Sequence, residues 1–265
     1  MAYTSKLYPG ELIITDSTPR DILRPPEGYK KGLDLSDRSE GYAYGRTAEP
    51  FPESLLIPKS EWPDRIKEQE ERKIRSSDLA IHANLPCKDQ NGTNYCWINA
   101  PTYCVEMVRL LQNQDMVLLS PASAGGPIKG FKNVGGWGKE GLVFIQKYGL
   151  VPVNLWPANA ISRTYYTEEN KTLALRYRVM EWWELEPRNL DHLFTCLLLG
   201  WPVALGYNWW SHEVTGCDAA WIDGAPALRI RNSWGMSWGS QGFGILQGSK
   251  MLPDDAVVPR VAIAA

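Results

Sequence analysis

Apolar positions along this chain fall into two regimes. From residue 61 to about residue 200 they recur at helical spacing. Residues 61–78, E-W-P-D-R-I-K-E-Q-E-E-R-K-I-R-S-S-D, predict a charged helix. Pro63 suits its first turn, Glu68/Arg72 and Glu71/Arg75 stand four apart, and only Trp62, Ile66 and Ile74 could pack. A solvated surface helix is the reading, ahead of an interaction helix. Residues 96–111 predict a second helix, with Ala100, Cys104, Val108 and Leu111 on one face and Met107 beside them. Pro101 should kink or delay it, because proline lacks a backbone donor. Residues 139–148, closed by Gly149, and residues 189–199, stopped by Gly200, complete the helices. From Pro202 onward the pattern becomes short runs between turns: P-V-A-L-G-Y, H-E-V-T-G-C, A-L-R-I-R-N and F-G-I-L-Q-G. A helical first part and a β-rich second part predict an α+β fold of two lobes with a cleft between them.

Residues 1–60 follow neither regime. R-P-P-E-G, S-E-G-Y-A-Y-G and A-E-P-F-P-E-S are loop-like clusters, and they predict an extended arm. Such an arm is ordered only if the protein's own surface or partner subunits hold it, so a multi-subunit assembly is one expected partner. The divisions are an arm over 1–60, a charged helical lead-in over 61–84, a helical lobe over 85–165 and a β-rich lobe over 166–265.

Composition narrows the function classes. A formal charge of −2 with no one-signed basic stripe excludes a nucleic-acid footprint. No segment approaches the ~20 apolar residues that span a bilayer, and the N-terminus carries no apolar run of signal-peptide length. The expectation is an intracellular, cytoplasmic protein, or one packaged into a particle. Five cysteines (87, 96, 104, 196, 217) with no C-x-x-C pair suggest neither a zinc site nor a disulfide framework. His192 and Cys196 stand four apart, but without further ligands they predict packing. The Gly-rich run over 123–138 has no phosphate-loop pattern. No metal and no cofactor are expected.

The candidate chemistry centres on residues 90–104, Q-N-G-T-N-Y-C-W-I-N-A-P-T-Y-C, a polar turn running into a helix with Cys96 at the junction. A thiol at a helix N-terminus feels the positive end of the macrodipole, which favours thiolate. Two later stretches supply partners: W-W-S-H-E-V-T-G-C, where His212 opens a strand, and L-R-I-R-N-S-W-G-M-S-W-G-S-Q-G-F-G-I-L, where Asn232 ends one. These residues, in this order, resemble the papain-like cysteine peptidases. The tail N-S-W-G-x-x-W-G-x-x-G-[YF] matches residues 232–243 without a gap, and L-P-C-K-D-Q before Cys96–Trp97 resembles the nucleophile segment. L-S-P at Leu119, V-G-G-W-G, and E-P-R-N-L-D-H-L-F ahead of G-W-P-V are further landmarks, so the likeness spans about 57–246.

The resemblance implies a papain-like fold, a helical lobe and an antiparallel, barrel-like β lobe, and a cysteine endopeptidase. Cys96 would attack the peptide carbonyl, paired with a His212 imidazolium; Asn232 would orient the imidazole and Trp234 would screen that bond. Gln90 and the Cys96 N–H would bind the oxyanion, and Trp97 would wall off the thiol. Gly135, Gly136, Trp137 and Gly138 would receive an extended peptide substrate. Where secreted members have a bridged cysteine pair this chain has Thr93 and Asn133, in keeping with a reducing compartment. Glu213 follows His212 where a small apolar residue is usual; strand alternation points it away from the thiolate. The short N-W-W connection before His212 predicts a more open cleft. Alternatives are a papain-fold structural or assembly protein, such as a virion component, and an amidase or acyltransferase using the same pair. A groove plugged by the arm or by Trp209/Trp210 would favour the structural reading.

Overall fold

Among the described residues, eight strands form one sheet: β1 (Leu12–Ile14), β2 (Glu49–Pro50), β3 (Val179–Glu184), β4 (Val203–Tyr207), β5 (His212–Ile222), β6 (Ala225–Arg231), β7 (Phe243–Gln247) and β8 (Asp255–Ala262). They lie in the order β1-β7-β6-β5-β4-β8-β3-β2, antiparallel except at its two ends, where β1 runs parallel to β7 and β2 parallel to β3. The computed structural model describes residues 3–35 and 49–263, without the side chains of 49 and 50; the S-E-G-Y-A-Y-G cluster lies outside the described residues.

Both faces of the sheet are covered, which is why its central strands read as near-continuous apolar runs. Strand alternation divides the core. Along β4, Val203, Leu205 and Tyr207 join one cluster with Trp62, Ile66, Leu193, Phe194 and Leu197. Ala204 joins another with Ile98, Val105, Leu142 and Ile145. The first cluster draws on α1 (Trp62–Arg72) and α7 (Leu190–Leu198), the second on α3 (Cys96–Leu111) and α5 (Gly138–Tyr148). The cleft opens where the start of α3 meets the edge of β5.

The helix expected over 61–78 is in fact two. Lys73 takes a left-handed conformation (φ 53°) that ends α1, and α2 (Ser76–His82) starts afresh. The break turns Arg75 inward: instead of pairing with Glu71 it bonds Asp78 at 2.8 and 2.9 Å, while Glu68/Arg72 forms at 2.8 Å. Ile74, expected to pack, is exposed. Pro101 does not delay α3, which starts at Cys96 and contains it. At its sixth position the proline removes one intrahelical donor, and the Thr102 hydroxyl donates to the Ile98 carbonyl at 2.7 Å. The Gly-rich run begins with a short helix, α4 (Ala122–Ile128), in which Gly125 lets the Tyr95 ring approach; α6 (Glu168–Ala174) follows later.

The arm is tied down by its own protein. Ser5 N–H donates to the Trp221 carbonyl at 2.6 Å, β1 extends the sheet, and Asp16 accepts from the Ser249 N–H and hydroxyl. The strongest anchor is buried: Arg229 of β6 pairs with Glu11 of the arm at 2.7 Å and with Asp218 of β5 at 3.3 Å. Removing the cation would strand two buried carboxylates, which costs about 3–5 kcal/mol. Arg229→Met should therefore lower the urea midpoint by an amount equivalent to about 3–5 kcal/mol. Lys67→Ala, which breaks an exposed pair at 3.9 Å, should shift it by no more than ~0.5 kcal/mol.

Candidate active site

Four chain segments converge at the start of α3. Residues 88–90 dock on the turn after β6: Gln90 N–H donates to the Ser233 carbonyl (2.8 Å), Ser233 Oγ donates to Gln90 Oε1 (2.6 Å), and Gly235 N–H donates to the Lys88 carbonyl (3.1 Å). This turn carries Asn232. Its Oδ1 accepts from the Ser233 N–H at 2.7 Å and lies 2.7 Å from His212 Nε2. An oxygen that accepts one N–H can only accept from the ring as well, so Nε2 carries the imidazole proton and Nδ1 is the basic nitrogen. Nδ1 is buried without a hydrogen-bond partner. The ring is clamped between indoles, stacked on Trp234 (4.4 Å, 26°) and edge-on to Trp210 (5.1 Å).

Cys96 is the first residue of α3. Its sulfur lies beside the backbone N–H groups of Glu213, Trp97 and Cys96 itself, which puts it next to the start of β5. Trp97 is buried behind it, with Nε1 donating to the Val134 carbonyl at 3.4 Å. Glu213 turns its carboxylate to the N-terminus of α5, where Gly138 N–H donates to it at 3.0 Å. A side chain at Gly138 would collide with that carboxylate, and one at Gly136 would come within 2.6 Å of Glu140 and 2.7 Å of the Trp97 ring. Both glycines are required by close approach, and they leave the Gly136 backbone bare at the cleft edge.

Where secreted relatives were expected to bridge two cysteines, a polar clasp stands instead. Asn133 Oδ1 accepts from Asn94 N–H (2.6 Å), Asn94 Nδ2 donates to the Asn133 carbonyl (2.9 Å), and Asn133 Nδ2 donates to the Gly92 carbonyl (3.1 Å). Thr93 caps locally onto the Gln90 carbonyl. All five cysteines are free and buried.

The cleft is occupied by the arm, which corrects the expectation of an open site. Gln90 Nε2 donates to the Lys30 carbonyl at 2.9 Å, and Trp234 Nε1 donates to the same oxygen at 3.0 Å. Gly136 N–H donates to the Gly32 carbonyl (3.0 Å), Asp34 N–H donates to the Gly136 carbonyl (3.1 Å), and Leu33 between them forms a parallel bridge. Trp137 Nε1 donates to the Asp34 carbonyl at 2.9 Å. The Leu33 side chain is buried against Gly206 and Asp255. Neither Gly32 nor Gly135 tolerates a Cβ: one at Gly32 would strike the Asn94 carbonyl, and one at Gly135 would lie 2.6 Å from the Gly32 oxygen. Trp209 and Trp210 do not plug the cleft. Trp210 is held beside His212 by its Nε1–H donating to the Leu23 carbonyl at 2.9 Å.

Closure reverses the electrostatics expected of Cys96. With Cys96 and His212 both 0% exposed, burial pushes the thiol well above its ordinary range, and the nearby Glu213 charge adds to the effect. Burial pushes His212 down to about 3; the bond to Asn232 opposes this, and the Lys31 ammonium reinforces it. A helix N-terminus offers a thiolate up to ~2 kcal/mol, while full burial can shift a pKa by 3–5 units at about 1.36 kcal/mol each. Burial wins, and the closed pair is thiol and neutral imidazole.

Gln90, Asn232 and His212 thus meet at one place, joined through Ser233. The Cys96 sulfur lies by the Glu213 N–H, next to them but not hydrogen-bonded to the unpartnered Nδ1. Trp97 and Trp234 stand alongside, and residues 135–138 run along one edge. Sequence reading missed the role of Ser233, which lay inside the N-S-W-G motif, and the clamping of His212 by Trp210. It allowed for an arm across the groove but did not identify residues 30–34, which bind mainly through backbone groups. Among the described residues no group of three or more His, Cys, Asp or Glu could hold a metal ion, and no helix is long and apolar enough to cross a membrane.

No protein-family model matches the chain, and no curated protein matches it. Solved structures do. Xylellain, a cysteine protease from Xylella fastidiosa, superposes with a TM-score of 0.63 at 18% identity, over 90% of this chain and 98% of that one. Digestive procathepsin L 3 from the Tenebrio molitor larval midgut gives 0.58 at 19% identity over 66% of each chain. The proform of the ragweed pollen cysteine protease Amb a 11 gives 0.54 at 16% identity over 68% of this chain and 62% of that one. The fold is papain-like, of α+β class.

The buried imidazole makes stability depend on pH. A histidine whose folded pKa lies below its free value of about 6.5 favours the folded state fully above that pH. The advantage fades as pH falls from about 6.5 toward about 3, because the unfolded chain takes up the proton first. The thermal midpoint should fall more steeply between pH 6.5 and 4 in the wild-type chain than in His212→Asn; parallel curves would contradict this.

Proposed function

We propose that this chain is a cysteine peptidase that is latent as folded, its substrate groove filled by residues 30–34. The observation that carries the reading is the identity of the occupied atoms. The Gln90 amide and the Gly136 backbone, the groups expected to receive a peptide, each hold a peptide group of the arm. A groove that binds its own extended backbone is built to bind extended backbone.

With the plug out, water reaches the pair and both burial shifts relax toward an ion pair, and the departure of the Lys31 charge further helps the imidazole take up a proton. The Cys96 proton passes to His212 Nδ1, since Nε2 stays engaged with Asn232. The thiolate attacks the carbonyl carbon of the substrate. Its oxygen takes the negative charge facing Gln90 Nε2 and the Cys96 N–H, donors of a kind whose individual loss costs about 10²–10³ in rate. The C–N bond breaks as the Nδ1 proton moves to the leaving amine, giving a thioester. Water, deprotonated by Nδ1, then attacks the thioester, the C–S bond breaks and the thiol is restored.

The plug itself is a poor substrate for a stated reason. A carbonyl oxygen has two lone pairs, and those of Lys30 are taken by Gln90 and Trp234, leaving none for the Cys96 N–H. A second reading, a structural protein that keeps the fold, is favoured by the plugged groove itself, the feature expected of such a protein, and by the full burial of Cys96 and His212.

Loosening the plug in the intact chain separates the two. Forcing a methyl into the Gly32 contact costs about 1–3 kcal/mol, the usual penalty for overpacking. Gly32→Ala should therefore raise cleavage of a quenched fluorescent peptide library about tenfold or more, and Leu33→Asp should act in the same direction. Wild-type Cys96 should resist iodoacetamide at neutral pH. In Gly32→Ala it should be labelled well below pH 8, ahead of the other four cysteines, with that selectivity lost when His212→Ala is added. Neither cleavage nor selective labelling in either plug variant would establish the structural reading.

A further inference from the structure

Beside His212 lies a second pocket, of about 560 Å³, lined by Asp16, Thr18, Arg20, Leu23, Lys31, Trp209, Trp210 and Lys250. Its back wall is the parallel stack of Trp209 on Trp210 (5.2 Å, 6°), whose inner member touches the His212 ring edge-on. Its polar groups are lopsided. Three cations line it; among the described residues none forms an ion pair within 4 Å, although the Asp16 carboxylate lies close enough to feel the Lys250 charge. The single carboxylate, Asp16, already accepts from the Ser249 N–H and hydroxyl. In a chain of net charge −2 this crowding of cations is local.

Each cation is held in place differently. Lys250 lies over the Trp209 ring, 4.4 Å from its centroid. Arg20 belongs to a turn whose Leu23 is buried and accepts from Trp210. Lys31 belongs to the plug, half-buried in the pocket with its ammonium facing both Cys96 and His212. Along the plug, Lys31 lines this pocket and the next three residues run along Gly136. Lys31 thus stands between the Gln90 amide and the Gly136 edge, with its side chain in the pocket. When the plug leaves it takes Lys31 with it, and Arg20 and Lys250 remain around an empty volume walled by Trp210 beside His212, the group that, on the peptidase reading, protonates the leaving amine.

We propose that this pocket is an anion site for the leaving side of the substrate, taking a carboxylate just beyond the bond that is cut. The carboxylate is either an Asp or Glu side chain or the terminal carboxylate of the peptide. The assignment rests on the peptidase reading for the word substrate, but the pocket and its charge do not depend on catalysis. Arg20 and Lys250 line the volume that Lys31 vacates, so an acidic segment that displaces Lys31 gains attraction there and a neutral one does not. Screened, partly exposed ion pairs contribute about 0.2–1 kcal/mol each. Two of them give roughly a two- to thirtyfold preference at low salt, fading as salt screens them.

Binding to the full-length Gly32→Ala, Cys96→Ala chain tests this without requiring turnover. The probes are fluorescein-labelled Gly-Glu-Glu amide, Gly-Gln-Gln amide and Gly-Gln-Gln with a free carboxylate, followed by anisotropy at low and high salt. The Glu peptide should bind severalfold more tightly than its amide isostere. The free-carboxylate peptide matching it would identify the terminus as an equal ligand, and its failing to do so would assign the site to side chains. Adding Arg20→Gln and Lys250→Gln should bring the preference to about one, and Arg20→Glu with Lys250→Glu should invert it toward a Lys peptide. Equal binding of all three probes, or a preference indifferent to those substitutions, overturns the proposal. If Gly32→Ala cleaves nothing, the peptidase reading fails while the binding result still decides the pocket.

Discussion

Every functional side chain in this protein depends on one docking event, that of residues 88–90 against the turn after β6. Asn232 fixes the His212 tautomer, Ser233 grips Gln90 through both its carbonyl and its hydroxyl, and Gly235 holds Lys88. The participants are buried, so each bond must be made; an unmade one would leave a polar group stranded in a low-dielectric interior. The same few bonds align the start of α3 with the start of β5. Rigidity here is a consequence of satisfying polar groups, and the geometry of Cys96 and His212 follows from it.

Around that fixed junction the protein holds two opposed tendencies. The helix start, the Trp234 stack and the Asn232 bond favour an ionised pair, while burial under the arm favours a neutral one. Because burial is the larger effect, the charge state of the pair reports whether the groove is filled. Glu213 sits on both sides of this balance. Its carboxylate fixes the bare glycine edge through Gly138, and its charge also opposes thiolate formation.

Much of the architecture was legible from residue patterns, and the exceptions have physical reasons. β4 to β7 were visible because both faces of the sheet are covered, and α3, α5 and α7 because their apolar positions recur at helical spacing. The single helix over 61–78 concealed a left-handed break at Lys73, a conformation that no residue type there announces. β1, β2, β3 and β8 were missed: β1 and β2 are short edge segments, β3 pairs with β8 through register shifts, and β8 carries Pro259 within its run. That the arm could reach the groove was readable, but which residues fill it was not, for a deeper reason. Their hydrogen bonds run through the carbonyls and N–H groups of residues 30–34, which every residue possesses, and Gly32 and the buried Leu33 are ordinary residues in a loop-like segment. The four-residue constellation, by contrast, requires particular side chains, so its motifs were readable.

The attachment of the plug at both ends sets how the groove can be opened. Before it, β1 is paired into the sheet and Arg229 grips Glu11; after it, β2 is paired to β3. The plug is therefore an intramolecular competitor, whose local concentration is a property of the chain and falls in the millimolar range for short tethers. Dilution cannot release it, and a trace of ligand cannot outcompete it. Only a ligand that gains more from the groove than the tethered segment does, or a change that weakens the segment itself, shifts the population. A groove guarded in this way responds to the abundance and fit of its ligand, and it closes again when the ligand departs.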